Sequence, residues 1–316
     1  MLRLFSTADG VLKPLDSAQL KDALWIDAVA PTPTEVELLH KEFDIDLPDV
    51  ADCLDPNERS RIEIEEGYDL LVLRSLLTEE QNGHRIQTMP IGIFVTSKKI
   101  ITVRIGSSFT DQDLTADLKR RPHLETKEDL FFALVRKVNR DIERQVRPME
   151  RIISSFQEQI LTAKRGEAAP HAFALSNSLI LLNTALMSNL NAMAALSKAK
   201  HLKMTKERLD IAEDLENDVA QLYEMTTVYR EIMGNVLNAY EATISNNLSL
   251  IMKTLTTISL ILIMPMLIAS LFSMNITVEG GGLPIASEPY AFWIIVGISA
   301  TAVGALWAFF RLKGIL

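Results

Sequence analysis

The sequence predicts an α+β protein. A mixed α/β domain comes first and helices alone follow, the longest of them continuous with the first of two membrane-spanning helices near the C-terminal end. Three observations carry this reading. Through residues 1–125, short apolar runs alternate with polar residues and are bounded by turn formers, as strands are. Through residues 126–253, apolar residues recur at threes and fours, as on helices. Two later runs, 254–274 and 290–310, hold no charged residue. At 1.5 Å per residue each is long enough to cross the roughly 30 Å hydrocarbon layer of a bilayer.

In chain order, residues 23–29 read as a short apolar strand. Residues 32–43 read as a helix capped by Thr32. Ile62 and Ile64 alternate with charges, as in a half-buried strand, and 70–77, 91–96 and 100–105 are strand-like. Helical spacing over 126–162 is interrupted by Pro148, which predicts a kink or a split. A turn at 166–170 leads into a helix over 170–200. From about residue 205 the periodicity runs without a proline to Pro265, as one helix of about 70 residues. Its apolar row is Ala212, Leu215, Val219, Leu222, Tyr229, Met233, Val236, Tyr240, Ile244, Leu248 and Ile251, with Thr226 as a polar interruption. Spacing of this kind predicts association with other helices. The organisation is therefore 1–125 (α/β domain), 126–253 (helical region with the long helix), 254–274 (first span), 275–289 (loop), 290–310 (second span) and 311–316 (basic tail).

Composition narrows the function. The 316-residue chain carries a net charge of −9, which disfavours broad binding to the phosphates of nucleic acid. With 48% hydrophobic and 23% charged residues it is neither disordered nor buried in lipid throughout. Cys53 is the one cysteine, so an intrachain disulfide is excluded and a metal would have to use oxygen ligands or histidines. His40, His84, His123, His171 and His201 are scattered without ligand spacing and read as ordinary surface or packing residues. No phosphate-binding glycine loop, nucleophile elbow or HExxH pair marks an enzyme.

Topology follows from flanking charge. Lys253 precedes the first span and Arg311 and Lys313 follow the second, whereas the loop carries Glu279 and Glu288 and no Lys or Arg. The positive-inside rule then places both termini in the cytoplasm and the loop outside. The opening residues lack the apolar run of a signal peptide, in keeping with a cytoplasmic N-terminus. Tyr290, Phe292, Trp293, Phe309 and Phe310 suit interfacial anchoring. In the first span, Met252, Thr256, Ser259, Ile263, Met266, Ser270 and Ser273 fall in one row at steps of three and four. Such a row lines a narrow aqueous path or packs helices together in lipid; the sequence leaves both open. Met252 and Met266 likewise suit an apolar gate or simple filling. Two helices cannot enclose a pore, so a path would need a ring of identical subunits.

One motif makes the resemblance specific. At the outer end of the first span stands Ser273-Met274-Asn275, preceded by Met264-Pro265-Met266-Leu267-Ile268-Ala269-Ser270. The chain resembles the CorA family of magnesium transporters, which carry Gly-Met-Asn at that place. The likeness extends over Trp25-Ile26-Asp27, the helical middle, the long helix and the basic tail ending in Leu316. It implies a homopentamer in the plasma (inner) membrane, in contact with membrane lipid. The first span would line the pore and the second would face lipid. It implies no resident cofactor, with Mg²⁺ or another divalent cation (Co²⁺, Ni²⁺) as the transported and regulatory ion. By resemblance Asn275 forms a ring at the outer mouth, its amide oxygens accepting from a hydrated ion. Asparagine also favours a helix C-cap. Ser273 departs from the family glycine, and Gly280-Gly281-Gly282-Leu283-Pro284 is similar to the loop of the related zinc-transporter branch. The resemblance further implies gating by divalent ions at carboxylates of the long helix. Asp214 is the matched position, with Asp210, Glu213 and Asp218 beside it; charges on a long helix also serve as a solvated face. The alternatives are a zinc transporter on the same scaffold and a membrane-anchored sensor or scaffold.

Overall fold

The alternating runs of the N-terminal region form one sheet. Strands β1 (Leu2–Ala8), β2 (Val11–Leu15), β3 (Trp25–Val29), β4 (Arg61–Ile64), β5 (Tyr68–Leu77), β6 (Gln87–Thr96) and β7 (Ile100–Arg104) pair in the order β2-β1-β3-β7-β6-β5-β4. Neighbours are antiparallel except β3 and β7, which run parallel with Trp25 opposite Ile100 and Asp27 opposite Thr102. The computed structural model describes residues 1–8, 11–16, 19–77, 86–106, 124, 126–161, 168–274, 285 and 289–314. These fall into two units, Met1–Leu237 and Asn238–Leu316.

Successive strand residues face opposite sides, so the sheet builds two cores. Ile26, Ala28, Leu70, Val72, Phe94, Ile101 and Val103 face α1 (Pro33–Phe43) and α2 (Leu47–Asp52), meeting Leu39, Val50 and Cys53. Trp25, Leu71, Leu73, Ile91, Ile93, Val95 and Ile100 face the later helices. These are α3 (Lys127–Val146), α4 (Met149–Leu161), α5 (Ala168–Ala194) and α6 (Lys206–Phe272); a 3₁₀ turn (Leu196–Lys198) follows α5. The last helix is α7 (Ala291–Leu312). Gly92 stands close to the end of α2: a Cβ there would lie 2.1 Å from the Cys53 sulfur. Burial pushes the Cys53 thiol pKa up, so this cysteine packs rather than reacts.

The predicted elements are present with shifted edges. Thr32 caps α1 through a capping box with Glu35. Pro148 separates α3 from α4, since its ring cannot continue a helix interior. Of the turn predicted at 166–170, Gly166 and Glu167 lie outside the described residues. Ala168, Ala169 and Pro170 already belong to α5, whose first turn needs no N–H from the proline. Strands β1 and β2 and helix α2 escape the pattern reading. β2 is an edge strand holding Pro14, and α2 is only a short helix. β6 begins at Gln87 rather than at 91. Pro90 is tolerated there because it stands opposite Arg74, whose backbone turns instead to Asn189. β4 stops pairing at Arg61–Val72; beyond it the Asn189 amide on α5 accepts from Arg74 N (2.7 Å) and donates to Arg74 O (2.9 Å), standing in for the missing strand.

The parallel junction carries a buried polar network. Arg104 and Asp27, 2% and 1% exposed, form a two-pronged ion pair, Nε to Oδ1 at 3.0 Å and Nη2 to Oδ2 at 2.7 Å. The Thr102 hydroxyl donates to Asp27 Oδ1 (2.8 Å) and accepts from the Trp25 indole (3.0 Å). Breaking one side of such a pair strands the other charge in the core. Arg104→Met is expected to cost about 3–5 kcal/mol in urea denaturation, and adding Asp27→Leu to recover much of that loss.

Candidate ion path and the acidic face of the long helix

Helix α6 lies in two environments. Within the first unit Ala212, Leu215, Val219, Leu222, Tyr229, Met233 and Val236 are buried against the chain's own helices and sheet. The association predicted from their spacing is thus supplied within one chain. The polar interruption, Thr226, is buried and accepts from the Asn183 amide at 3.1 Å. The start of α6 is held by a polar cluster. The His201 backbone N–H donates to Asp69 (2.5 Å), and the Lys127 ammonium donates to the carbonyls of Thr96 and His201 (2.6 Å each). His201, expected as an ordinary surface or packing residue, is a tethering one. Desolvation lowers the Lys127 pKa, which its carbonyl partners accommodate.

Within the second unit the same row loses its cover: Ile244, Leu248 and Ile251 are 42%, 57% and 52% exposed. Beyond them α6 and α7 carry no charge from Thr254 to Phe272 and from Ala291 to Phe310. Both helices are long and apolar enough to cross a membrane, and so by length and composition is α5. Burial separates them: half of the α5 apolar stretch is buried inside the protein, against 6% for α6 and 0% for α7. At one end of this unit the Lys253 ammonium donates to Gly314 O (3.3 Å), and Arg311 stacks on Trp307.

The predicted row on the first span is one continuous exposed face. Met252, Ile263 and Met266 are 60%, 51% and 70% exposed. Thr256, Ser259, Ser270 and Ser273 are exposed with them. The shielded positions of this stretch, Thr257, Ile261, Met264, Pro265, Ile268 and Phe272, lie off that row. Ser259 and Ser273 donate to the carbonyls of Leu255 (2.9 Å) and Ser270 (2.8 Å). Each hydroxyl proton is thereby satisfied on its own helix, and the oxygen remains an acceptor facing outward. The helix closes at Ser273 and Met274, whose N–H groups donate to Ala269 O (3.0 Å) and Leu271 O (3.4 Å). Asn275, Glu279, Glu288 and residues 280–284 lie outside the described residues, as do His84 and His123.

The four carboxylates singled out on α6 separate into two groups. Asp210, Glu213, Asp214 and Asp218 are all exposed. Asp214 and Asp218 line a groove of about 540 Å³ against α3, whose Arg136, Asn139, Arg140 and Glu143 face them; Asp210 and Glu213 are not part of its lining. Sequence reading passed over these α3 residues, although their steps of three and four give a charged stripe beside an apolar one. Among the described residues no three His, Cys, Asp or Glu side chains form a metal-holding group. The Asp218 carboxyl is pushed up, by burial first and then by Glu143 and Asp214, with Arg140 opposing. A raised carboxyl pKa adds stability at low pH that is lost as pH rises through the folded value. Asp218→Asn should therefore raise the thermal midpoint at pH 7, and the gain should vanish as pH falls below the carboxylate range; scanning calorimetry against pH checks this.

Comparison with known proteins gives these features a context. Residues 21–312 match the family model described as CorA-like Mg2+ transporter protein. The chain is 26% identical over 307 residues to the cobalt/magnesium transport protein CorA of Methanocaldococcus jannaschii, covering 95% of this chain and 94% of that one. It is 23% identical to the magnesium transport protein CorA of Campylobacter jejuni, over 95% and 94% of the two chains. Its fold matches the complete structure of the M. jannaschii CorA magnesium transporter with a TM-score of 0.80, at 24% identity over 100% of this chain and 98% of that one. The full-length CmaX protein matches at 0.73 (16% identity, 99% and 97% of the chains), and the ZntB cytoplasmic domain from Vibrio parahaemolyticus at 0.61 (12% identity, 77% and 98%). A match running from β3 into the last turn of α7 takes in both the sheet domain and the two apolar helices, and the chain belongs to the CorA-like Mg2+ transporter family.

Proposed function

We propose that this chain forms a homopentameric membrane channel for divalent cations, Mg²⁺ foremost. The observation that carries the reading is the exposed row from Met252 to Ser273 on α6. An isolated membrane anchor needs no outward stripe of hydroxyls, whereas a ring of copies turning this face inward would enclose a path. The relatives named for cobalt and magnesium transport supply the ion class.

In this reading both termini are cytoplasmic, α6 lines the path and α7 faces lipid. Asn275 from each copy forms the outer ring. Magnesium sheds water reluctantly, so amide oxygens that accept from its hydration shell admit the ion without stripping it. Below the ring, Ser273, Ser270, Ser259 and Thr256 continue the polar lining, and Met266, Ile263 and Met252 narrow it to apolar constrictions that close by dewetting. Gating falls to the carboxylates of α6, with Asp214 and Asp218 foremost and Asp210 and Glu213 alongside. Bound divalent ions hold mutually repelling carboxylates together and keep the path shut; when internal Mg²⁺ falls, repulsion loosens the ring.

Ion uptake into liposomes holding the purified protein tests this. Mg²⁺ flux that falls at least about tenfold in Asn275→Ala, the scale of losing one well-placed polar contact, is the expected result. Zn²⁺ flux without Mg²⁺ flux would assign the chain to the zinc branch and make Ser273→Gly the next variant. Folded, oligomeric protein that moves no ion would overturn the reading.

A further inference from the structure

Three cations gather where the charged ends of α6 and α7 meet. Lys253 on α6 and Arg311 and Lys313 at the end of α7 are all exposed. The Lys253 ammonium donates to Gly314 O at 3.3 Å, which sets the α6 cation beside the residue that follows Lys313. Gly314 takes the left-handed conformation, φ +63°, and its N–H donates to Arg311 O at 3.1 Å. This is the glycine turn that commonly ends a helix, and its carbonyl is the one that Lys253 reaches.

No carboxylate side chain answers these cations. Among the described residues none of the three forms an ion pair. The acid that precedes Lys253 on α6 is Glu241, about 18 Å back along the helix, well beyond the roughly 8 Å over which charges act through physiological salt. No Asp or Glu follows Glu288. A helix C-terminus carries about half a negative charge, which offsets only part of three positive ones. Donors also remain. Arg311 lies 5.0 Å over the Trp307 ring, and a guanidinium stacked on an aromatic face keeps its in-plane N–H groups for a ligand. An ammonium has three donors, and the Gly314 carbonyl takes one of those on Lys253.

Position selects the ligand. The three cations border the uncharged stretches of α6 and α7, and Trp307, Phe309 and Phe310 stand at the same boundary. A bilayer that holds these stretches sets its phosphates at that level, and basic pockets between spanning helices on the cytoplasmic side suit anionic headgroups. Lys253 directly follows Met252 of the exposed row, turned about 100° from it around the helix, and its contact with Gly314 points it to α7. A phosphate held there touches α6 away from the row that faces the proposed path.

We propose that Lys253, Arg311 and Lys313 bind the phosphate of an anionic phospholipid, which bridges the ends of α6 and α7. The inference rests on the membrane topology proposed above. It makes the lipid a tie between the path-lining helix and its neighbour.

The test is isothermal titration of the delipidated full-length protein in detergent with three probes: dioctanoyl phosphatidylglycerol, dioctanoyl phosphatidylcholine and sodium phosphate. Saturable binding of phosphatidylglycerol, at least about tenfold tighter than either of the others, is expected. It should weaken about fivefold in Lys253→Gln and in Arg311→Gln, the scale of one basic residue at a membrane surface. It should persist in Lys253→Arg and in the distant surface variant Lys41→Gln. An unchanged lipid-free thermal midpoint in at least one of the two glutamine variants shows that the loss is not unfolding. Phosphatidylcholine binding as tight as phosphatidylglycerol would leave acyl contacts alone and overturn the inference. Sodium phosphate binding equally well would leave a free-anion site and overturn it too. Phosphatidylglycerol binding indifferent to Lys253→Gln would leave no bridge, and no binding of any probe would leave no site; either result overturns it. Liposome flux measured on the same preparation separates the two readings. Flux without a preference for phosphatidylglycerol removes only this inference, and lipid binding without flux removes only the channel.

Discussion

The pair formed by Asp27 and Arg104 is the constraint on which the N-terminal architecture turns. It spans the one parallel junction in the described sheet, where the antiparallel ribbon β2-β1-β3 meets the antiparallel group β7-β6-β5-β4. A parallel register is not set by a tight turn between its strands, because the connection is long. At this junction the register is marked by chemistry. Shifting β7 by one residue would turn Thr102 and Arg104 to the opposite face and leave Asp27 buried without a counter-charge. Trp25, hydrogen-bonded to Thr102 and stacked on Phe5 at 4.7 Å, ties the same junction to β1. With this register held, the helix-facing core presents Ile91, Ile93, Val95 and Ile100 to α3, and α3 in turn provides one wall of the groove.

The long helix shows how one periodic pattern serves two solvents. From Ala212 to Val236 its apolar row is covered by the chain's own helices and sheet, so hydrophobic burial holds it. From Ile244 onward apolar residues are exposed over most of the helix surface, as suits a surface facing lipid or other helices. In that second stretch hydroxyls take over one face without calling for interhelical partners, since Ser259 and Ser273 spend their protons on their own backbone. A cation's hydration water can donate to such oxygens, which is the chemistry the proposed path requires. The start of the helix is fixed by Asp69 and Lys127 through the residues around His201. Changes at the first turn of α6 are thereby coupled to the sheet.

The groove between α3 and α6 adds a polar counterpart. Several charged side chains of the described residues are paired with an opposite charge. Arg61 bonds to Asp52, Glu58 and Glu63, Lys137 to Asp141, and Arg208 approaches Glu128 and Asp129. Arg136, Asp214 and Asp218 break that habit while lining a common space. Burial first, and then Glu143 and Asp214, raise the Asp218 carboxyl against the opposing Arg140.

The sequence alone determined what rests on local periodicity and on solvent. The helix break at Pro148, the Thr32 cap, the central strands and the two uncharged apolar helices follow from spacing, backbone chemistry and length, which act within a few residues. The row from Met252 to Ser273 was legible for the same reason, since helical geometry by itself places steps of three and four on one face. The Ser273-Met274-Asn275 motif gave the family by likeness. Only the tertiary structure decided which partners meet across long separations. It paired Asp27 with Arg104, put Asn189 in place of a strand edge at Arg74, buried half of an α5 apolar enough to span a bilayer, and set Arg136 and Asn139 opposite Asp214 and Asp218. None of these pairings has a period or a spacing. Each exists because packing brings distant side chains to one place, where desolvation makes their charges and hydrogen bonds count.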